Sequence, residues 1–160
     1  MKVLVLYFSK GGNTRKLAEE VLKGVGSVDG VEGFIKTAEE VTKEDFIEAS
    51  GVIAGSPVYF GTMAAQLKAK LDEFISTRRK MEGKVGAAFA TSGDPTGGKE
   101  TTIMSIIQAF LIYGMVITGD PLSATGHYGT ACVGKPDDTA KENAMKLGAR
   151  VAQLVLKLSD

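Results

Sequence analysis

Six residues near the amino terminus, Ser9-Lys10-Gly11-Gly12-Asn13-Thr14, join short hydroxyl and amide side chains to two adjacent glycines. Glycine lets successive backbone N–H groups turn toward one point, Ser9, Asn13 and Thr14 add donors, and a helix beginning there would present its unpaired N–H groups and positive dipole end. The chemistry this suits is capture of a phosphate with little help from cationic side chains. A plain turn before a capped helix uses the same residue types, so that alternative stands beside it. Two later loops carry further candidates. In Pro57-Val58-Tyr59-Phe60-Gly61 a pair of aromatics follows a proline, placed either to stack on a planar ring or to pack under the next helix, and Gly61 tolerates positive φ. Thr91-Ser92-Gly93-Asp94-Pro95-Thr96-Gly97 is the third small, polar loop. A phosphate cradle at one end and aromatics at the other match the needs of a phosphorylated planar cofactor such as FMN.

Other chemistries are disfavoured. Gly93 to Lys99 satisfies Gly-x-x-x-x-Gly-Lys, but Glu100 stands where a nucleotide triphosphatase needs Ser or Thr for magnesium, and its carboxylate would repel phosphates. One histidine, His127, excludes sites needing two histidine ligands and leaves little room for Ser-His-Asp chemistry. One cysteine, Cys132, excludes an internal disulfide and reads as a small packed residue. Lys and Arg number 19 against 19 Asp and Glu, which gives no long-range field for nucleic acid or an anionic membrane. Hydrophobic residues at 44% are too many for a disordered chain. No apolar run approaches spanning length, and Val3 to Phe8 is too short for a signal segment, so the expected location is cytoplasmic.

The elements that must position these loops follow from periodicity. Val3 to Phe8 is an uninterrupted apolar run, as in a strand covered on both faces. Leu17, Ala18, Val21, Leu22 and Val25 then recur at helical spacing up to Gly24–Gly26. Val31 to Lys36 reads as a more polar, edge-like strand, and Thr42 with Asp45 forms a capping box for a short helix, stapled by Val41 and Phe46. Strands at 51–55 and 84–90 each lead through a polar loop into a helix, marked by Met63, Leu67, Leu71 and Phe74 and then by Ile103, Ile106, Ile107 and Phe110. A fifth strand at 115–119, a glycine-rich connection from Asp120 to Pro136, and a helix lined by Ala140, Ala144, Leu147, Val151, Leu154 and Leu158 complete the chain. The expectation is one α/β domain over residues 1–160, a doubly wound five-stranded parallel sheet. In the order 2-1-3-4-5 the polar second strand lies at an edge, and the first, third and fourth strands, which carry the three loops, are neighbours.

With these blocks in view, the chain resembles the flavodoxin family, and within it the WrbA-type flavodoxin-like quinone reductases. Ser9 to Thr14 is similar to the Ser/Thr-x-x-Gly-Asn-Thr flavin-phosphate loop, Ser56 to Lys68 to the Pro-x-x-Phe-Gly-x-Met loop and helix, and Gly97 to Ile103 with Tyr113 to Ile117 to the third block. The resemblance implies FMN, with Ser9, Lys10, Gly11, Gly12, Asn13 and Thr14 on the phosphate, Val58 to Gly61 beside the isoalloxazine, and Thr91 to Gly97 around its polar edge and ribityl chain. It also has gaps. Ile112-Tyr113 replaces the quinone reductases' histidine pair, their ring-stacking tryptophan is absent, and their longer inserted segments, which help build tetramers, are missing.

Three functions follow as expectations. The leading one is an FMN redox protein that passes electrons to a partner protein or a small quinone-like acceptor, with no catalytic side chain and no metal. The second is NAD(P)H-dependent quinone reduction on the same cofactor. The third is an interaction module that has lost its flavin. A homo-oligomer is compatible with all three, whereas a nucleic-acid or membrane partner is not expected.

Overall fold

The structure, a computed structural model, describes residues 1–159. Strand β1 (Lys2–Tyr7) explains its unbroken apolar run by period two: Leu4, Leu6 and Phe8 enter one core, Val3, Val5 and Tyr7 the other. One face of the sheet is covered by α1 (Asn13–Gly26) and α6 (Asp138–Lys157). The other is covered by α2 (Lys43–Glu48), α3 (Ala65–Glu73) and α5 (Lys99–Ile112), with a 3-10 turn over Phe74–Thr77 and the short α4 (Arg78–Met81) between. Two glycines let α1 and α6 approach backbone to backbone. A Cβ at Gly24 would lie 2.0 Å from the Met145 carbonyl oxygen, and one at Gly148 2.1 Å from that of Val21.

The strands β2 (Glu32–Thr37), β1, β3 (Gly51–Pro57), β4 (Val85–Ser92) and β5 (Val116–Ile117) are parallel and lie in the order 2-1-3-4-5. As the charge of its sequence implies, β2 is the half-buried edge. The capping box at α2 forms with both bonds, Asp45 N–H to Thr42 Oγ1 at 3.1 Å and Thr42 N–H to Asp45 Oδ2 at 3.0 Å.

Several strands differ from the sequence reading. The fifth position in the sheet is shared: β5 pairs only with Val85 and Gly86, and a sixth strand, β6 (Thr130–Val133), continues beside Phe89–Ser92. The break falls at Gly119-Asp120-Pro121, where Gly119 passes so close to the His127 carbonyl that a Cβ would sit 2.1 Å from it, and where Pro121 has no N–H to give a ladder. The connection expected from Asp120 to Pro136 therefore holds a strand. In addition, β3 and β4 each run two residues beyond the expected ends at Gly55 and Ala90, so Pro57, Thr91 and Ser92 are strand residues and the second and third loops begin at Val58 and Gly93.

Candidate functional site

All three loops leave the carboxyl ends of the adjacent strands β1, β3 and β4. In the first, the backbone N–H of Gly12 donates to Ser9 Oγ at 3.1 Å, and Gly12 takes φ +86°, the left-handed region open to glycine. Helix α1 starts there with no side-chain cap and no acidic residue in its first turn, whereas α2 and α6 are capped by Thr42 and Asp137. A Cβ built on Gly11 or Gly12 would meet nothing within 4 Å, so the loop is open beside these two glycines. Open, uncapped and free of carboxylates, this turn fits an anion of phosphate type. Thr14 is the exception among the expected donors: its hydroxyl is buried and lies 2.8 Å from that of Thr91, tying the first loop to β4.

The second loop is a two-residue hairpin turn. Tyr59 and Thr62 exchange backbone bonds at 3.1 and 3.2 Å, and both central residues have positive φ, Phe60 +52° and Gly61 +77°, as in a type I′ turn. Glycine at 61 is expected; phenylalanine at 60 is not, and it is the one non-glycine residue with positive φ among the described residues. The turn is held from below. Val58 N–H donates to the Thr91 carbonyl at 2.8 Å, and the fully buried Ser56 accepts from Ala64 N–H at 2.8 Å while donating to the Pro57 carbonyl at 2.7 Å. The two aromatics part company. Tyr59 sets its ring edge-on to Phe8, centroids 6.4 Å apart, while Phe60 is wholly exposed.

In the third loop Ser92 Oγ donates to the Asp94 carbonyl at 2.7 Å and Gly97 N–H to the same carbonyl at 3.1 Å, which closes a tight turn through Asp94, Pro95 and Thr96. Lys99 Nζ lies 3.1 Å from the Pro95 carbonyl and so serves the loop itself, in keeping with the rejected triphosphate reading. Gly98, at φ +98°, brings the second and third loops into contact, since a Cβ on it would sit 3.0 Å from the Gly61 Cα. Helix α5 begins there, again without a side-chain cap.

Two features lie beyond the residues singled out from sequence. A groove of about 900 Å³ between α3 and α5 shares only Tyr59 and Phe60 with the three loops; its other apolar residues carry ordinary helical spacing and gave no signal. A smaller cavity of about 250 Å³ near the carboxyl edge of β4 is lined by Asp120 and His127, among others. Burial pushes the Asp120 carboxyl above its usual range against the opposing pull of Thr130, His127 and Arg150, and Oδ1 has no hydrogen-bond partner. Burial likewise pushes the Cys132 thiol up to about 11, which keeps it in the thiol form near neutral pH. No group of three or more potential metal ligands occurs among the described residues, and no helix there is long and apolar enough to cross a membrane.

The protein family described as NADPH-dependent FMN reductase matches residues 34–130. The chain is 36% identical to a flavodoxin of Aquifex aeolicus (strain VF5), over 99% of this chain and 89% of that protein. It is 33% identical to an NAD(P)H dehydrogenase (quinone) of Archaeoglobus fulgidus over 98% of each. Among solved structures, a flavodoxin from the domain Archaea superposes with a TM-score of 0.81 at 26% identity, covering 98% of this chain and 99% of that one.

Proposed function

From the premise that this chain belongs to the flavodoxin-like family of FMN-binding redox proteins, we propose that its whole length forms one FMN domain working as an electron carrier, with the three loops as the cofactor's seat. The observation that carries this reading is the uncapped, acid-free start of α1 at Gly12, on the same end of the sheet as the exposed Phe60. FMN, when bound, supplies the storage and release of electrons. The chain supplies the rest. Ser9 to Thr14 hold the phosphate through backbone N–H groups and short side chains, Phe60 and Tyr59 flank the ring and exclude water, and Thr91 to Gly97 border its polar edge. Electrons pass to a redox partner protein or a small quinone-like acceptor. One buried free thiol and no disulfide suit a cytoplasmic setting.

Direct NAD(P)H-dependent quinone reduction is the second reading, favoured by the Archaeoglobus relative and opposed by Ile112-Tyr113 in place of a histidine pair. One experiment separates them. The purified protein is titrated with FMN and with riboflavin, then mixed with NADH or NADPH and a benzoquinone. Tight FMN binding, weak riboflavin binding and slow turnover are the expected results. Rapid turnover would establish the enzyme, and no binding of either flavin would favour an interaction module.

A further inference from the structure

The cavity of about 250 Å³ near the carboxyl edge of β4 shares no residue with the three loops. It is lined by Glu100 and Ile103 of α5, by Gly126, His127 and Tyr128 of the connection before β6, and by Asp120 at the strand break. Its volume is that of roughly eight waters and lies below the range of about 300–1,000 Å³ that suits larger ligands, so an occupant has few heavy atoms.

Asp120 is the group on this lining that lacks a complement. Its side chain is buried, Oδ2 accepts from Thr130 Oγ1 at 3.2 Å, and Oδ1 has no partner. The connection is shaped around this carboxyl, since a Cβ on Gly126 would lie 2.2 Å from Oδ2. Neither nearby cation is bonded to it. The Arg150 guanidinium gives Nε to Thr118 Oγ1 at 2.9 Å and Nη1 to the Asp120 backbone carbonyl at 3.1 Å, and Lys99 Nζ lies 3.1 Å from the Pro95 carbonyl.

We propose that the cavity binds a small organic cation bearing N–H donors, a primary ammonium, with Asp120 Oδ1 as its main acceptor. A trapped water could complete the hydrogen bond but would leave the charge of a buried carboxylate uncompensated, and that is the larger cost. A protonated amine supplies both. Glu100 adds a second carboxylate on the same lining, and Ile103 and Tyr128 offer apolar surface to a short carbon chain. A metal ion is the poorer match, because no group of three or more His, Cys, Asp or Glu side chains gathers among the described residues. Burial raises the Asp120 pKa against the pull of Thr130, His127, Arg150 and the Gly126 N–H, and Glu100 and Lys99 stand on the same lining. Proton and amine therefore compete for one carboxyl, and amine affinity rises as pH climbs through the raised value.

The test uses the whole chain, with and without FMN, and propylammonium chloride as the probe. Sodium chloride and tetramethylammonium chloride at equal ionic strength are the controls, the second having the charge without an N–H. Calorimetric titration at about pH 8, where the carboxyl is ionised, is expected to show saturable binding of propylammonium alone, equal with and without FMN. Amide NMR signals of Gly126 to Gly129 are expected to shift, and those of Ser9 to Thr14 to stay. Asp120→Asn, with circular dichroism reporting an intact fold, is expected to weaken binding by roughly ten- to a hundredfold, the worth of one bond to a charged group. For the unaltered protein, affinity is expected to fall between about pH 8 and about pH 4, a readout that needs no variant. Absence of saturable binding, equal binding of tetramethylammonium, signals that shift elsewhere, or an affinity indifferent to Asp120→Asn or to pH overturns the proposal. Because the cavity is read without reference to the flavin, failure of the cofactor reading leaves this result interpretable.

Discussion

The hydroxyls of Thr14, in the first turn of α1, and Thr91, near the end of β4, lie 2.8 Å apart in a buried bond across 77 residues of sequence. It ties the first loop to the end of β4 and restricts where the rest of the Thr14 hydroxyl can point. Thr14→Val and Thr91→Val each leave one buried hydroxyl unpaired or remove the bond, at about 1–3 kcal/mol in the flavin-free protein, and the double variant costs less than the sum. Thr14→Val should also weaken FMN binding by about 1.5–3 kcal/mol, as for a lost bond to a charged oxygen, while riboflavin binding stays the same. Denaturant titration and flavin titration measure the two effects. Equal losses for FMN and riboflavin would remove Thr14 from the phosphate site.

Phe60 combines a left-handed backbone with complete exposure, both costly without an occupant beside it. A residue with a Cβ pays about 1–2 kcal/mol for that conformation, and glycine gives part of the gain back as chain entropy. Phe60→Gly should therefore make the flavin-free protein about 0.5–1 kcal/mol more stable, by the same two terms. It should also weaken FMN binding and raise the fluorescence of whatever flavin is bound. Tyr59→Ala should instead destabilise the flavin-free protein by about 0.5–1.5 kcal/mol beyond its lost area, through the Phe8 contact. A Phe60→Gly protein with unchanged flavin affinity and fluorescence would show that Phe60 does not flank the ring.

Gly61 and Gly98 both have positive φ, yet a methyl group meets different surroundings at each. On Gly98 it would lie 3.0 Å from both the Gly61 Cα and Thr101 Oγ1; on Gly61 the nearest atom is Thr101 Oγ1 at 3.6 Å. Both alanine variants pay about 1–2 kcal/mol for backbone conformation. Gly98→Ala must also push the second loop off the third, so its loss of stability and of FMN affinity should be the larger. Equal effects in thermal melts and flavin titrations would mean that the loop contact does not shape the site.

The sheet order and the three loops were legible because each rests on a local signal: apolar runs of strand length, glycine and hydroxyl clusters at their ends, and helical spacing after them. The polar second strand, read from Glu32, Gly33 and Lys36, is the edge. What escaped the sequence depends on contacts distant along the chain. Thr130 to Val133 is four residues long and extends because Phe89 to Ser92 offers it a free edge. Thr14 reads as a phosphate donor, and nothing nearby in sequence announces that its hydroxyl also bonds that of Thr91. Phe60 reads as an aromatic in a loop; its left-handed backbone follows from the bridge between Tyr59 and Thr62 and the support of Ser56 beneath.

The strand break at Asp120 supplies the last prediction. The carboxyl is buried, accepts from Thr130 Oγ1 at 3.2 Å, and has His127 and the Arg150 guanidinium nearby, the latter bonded at 3.1 Å to its backbone carbonyl. Burial outweighs these favourable partners and raises the pKa, so the folded state holds the proton more tightly than the unfolded chain, where Asp titrates near about 3.9. The sign follows from linkage. The contribution to stability is fully present below the unfolded value and is lost as pH rises through the raised folded value, above which the protein pays to keep a buried carboxylate. Asp120→Asn keeps the shape and cannot ionise. It should melt higher than the unaltered protein at about pH 8, with the difference shrinking toward zero near about pH 4, where both side chains are neutral. Thermal melts across that range measure it, and the contribution of His127 is checked with His127→Gln in the same series. A variant that melts lower at about pH 8 and recovers on acidification would show that Arg150 and His127 hold Asp120 as a stabilising carboxylate, with burial the weaker of the two effects.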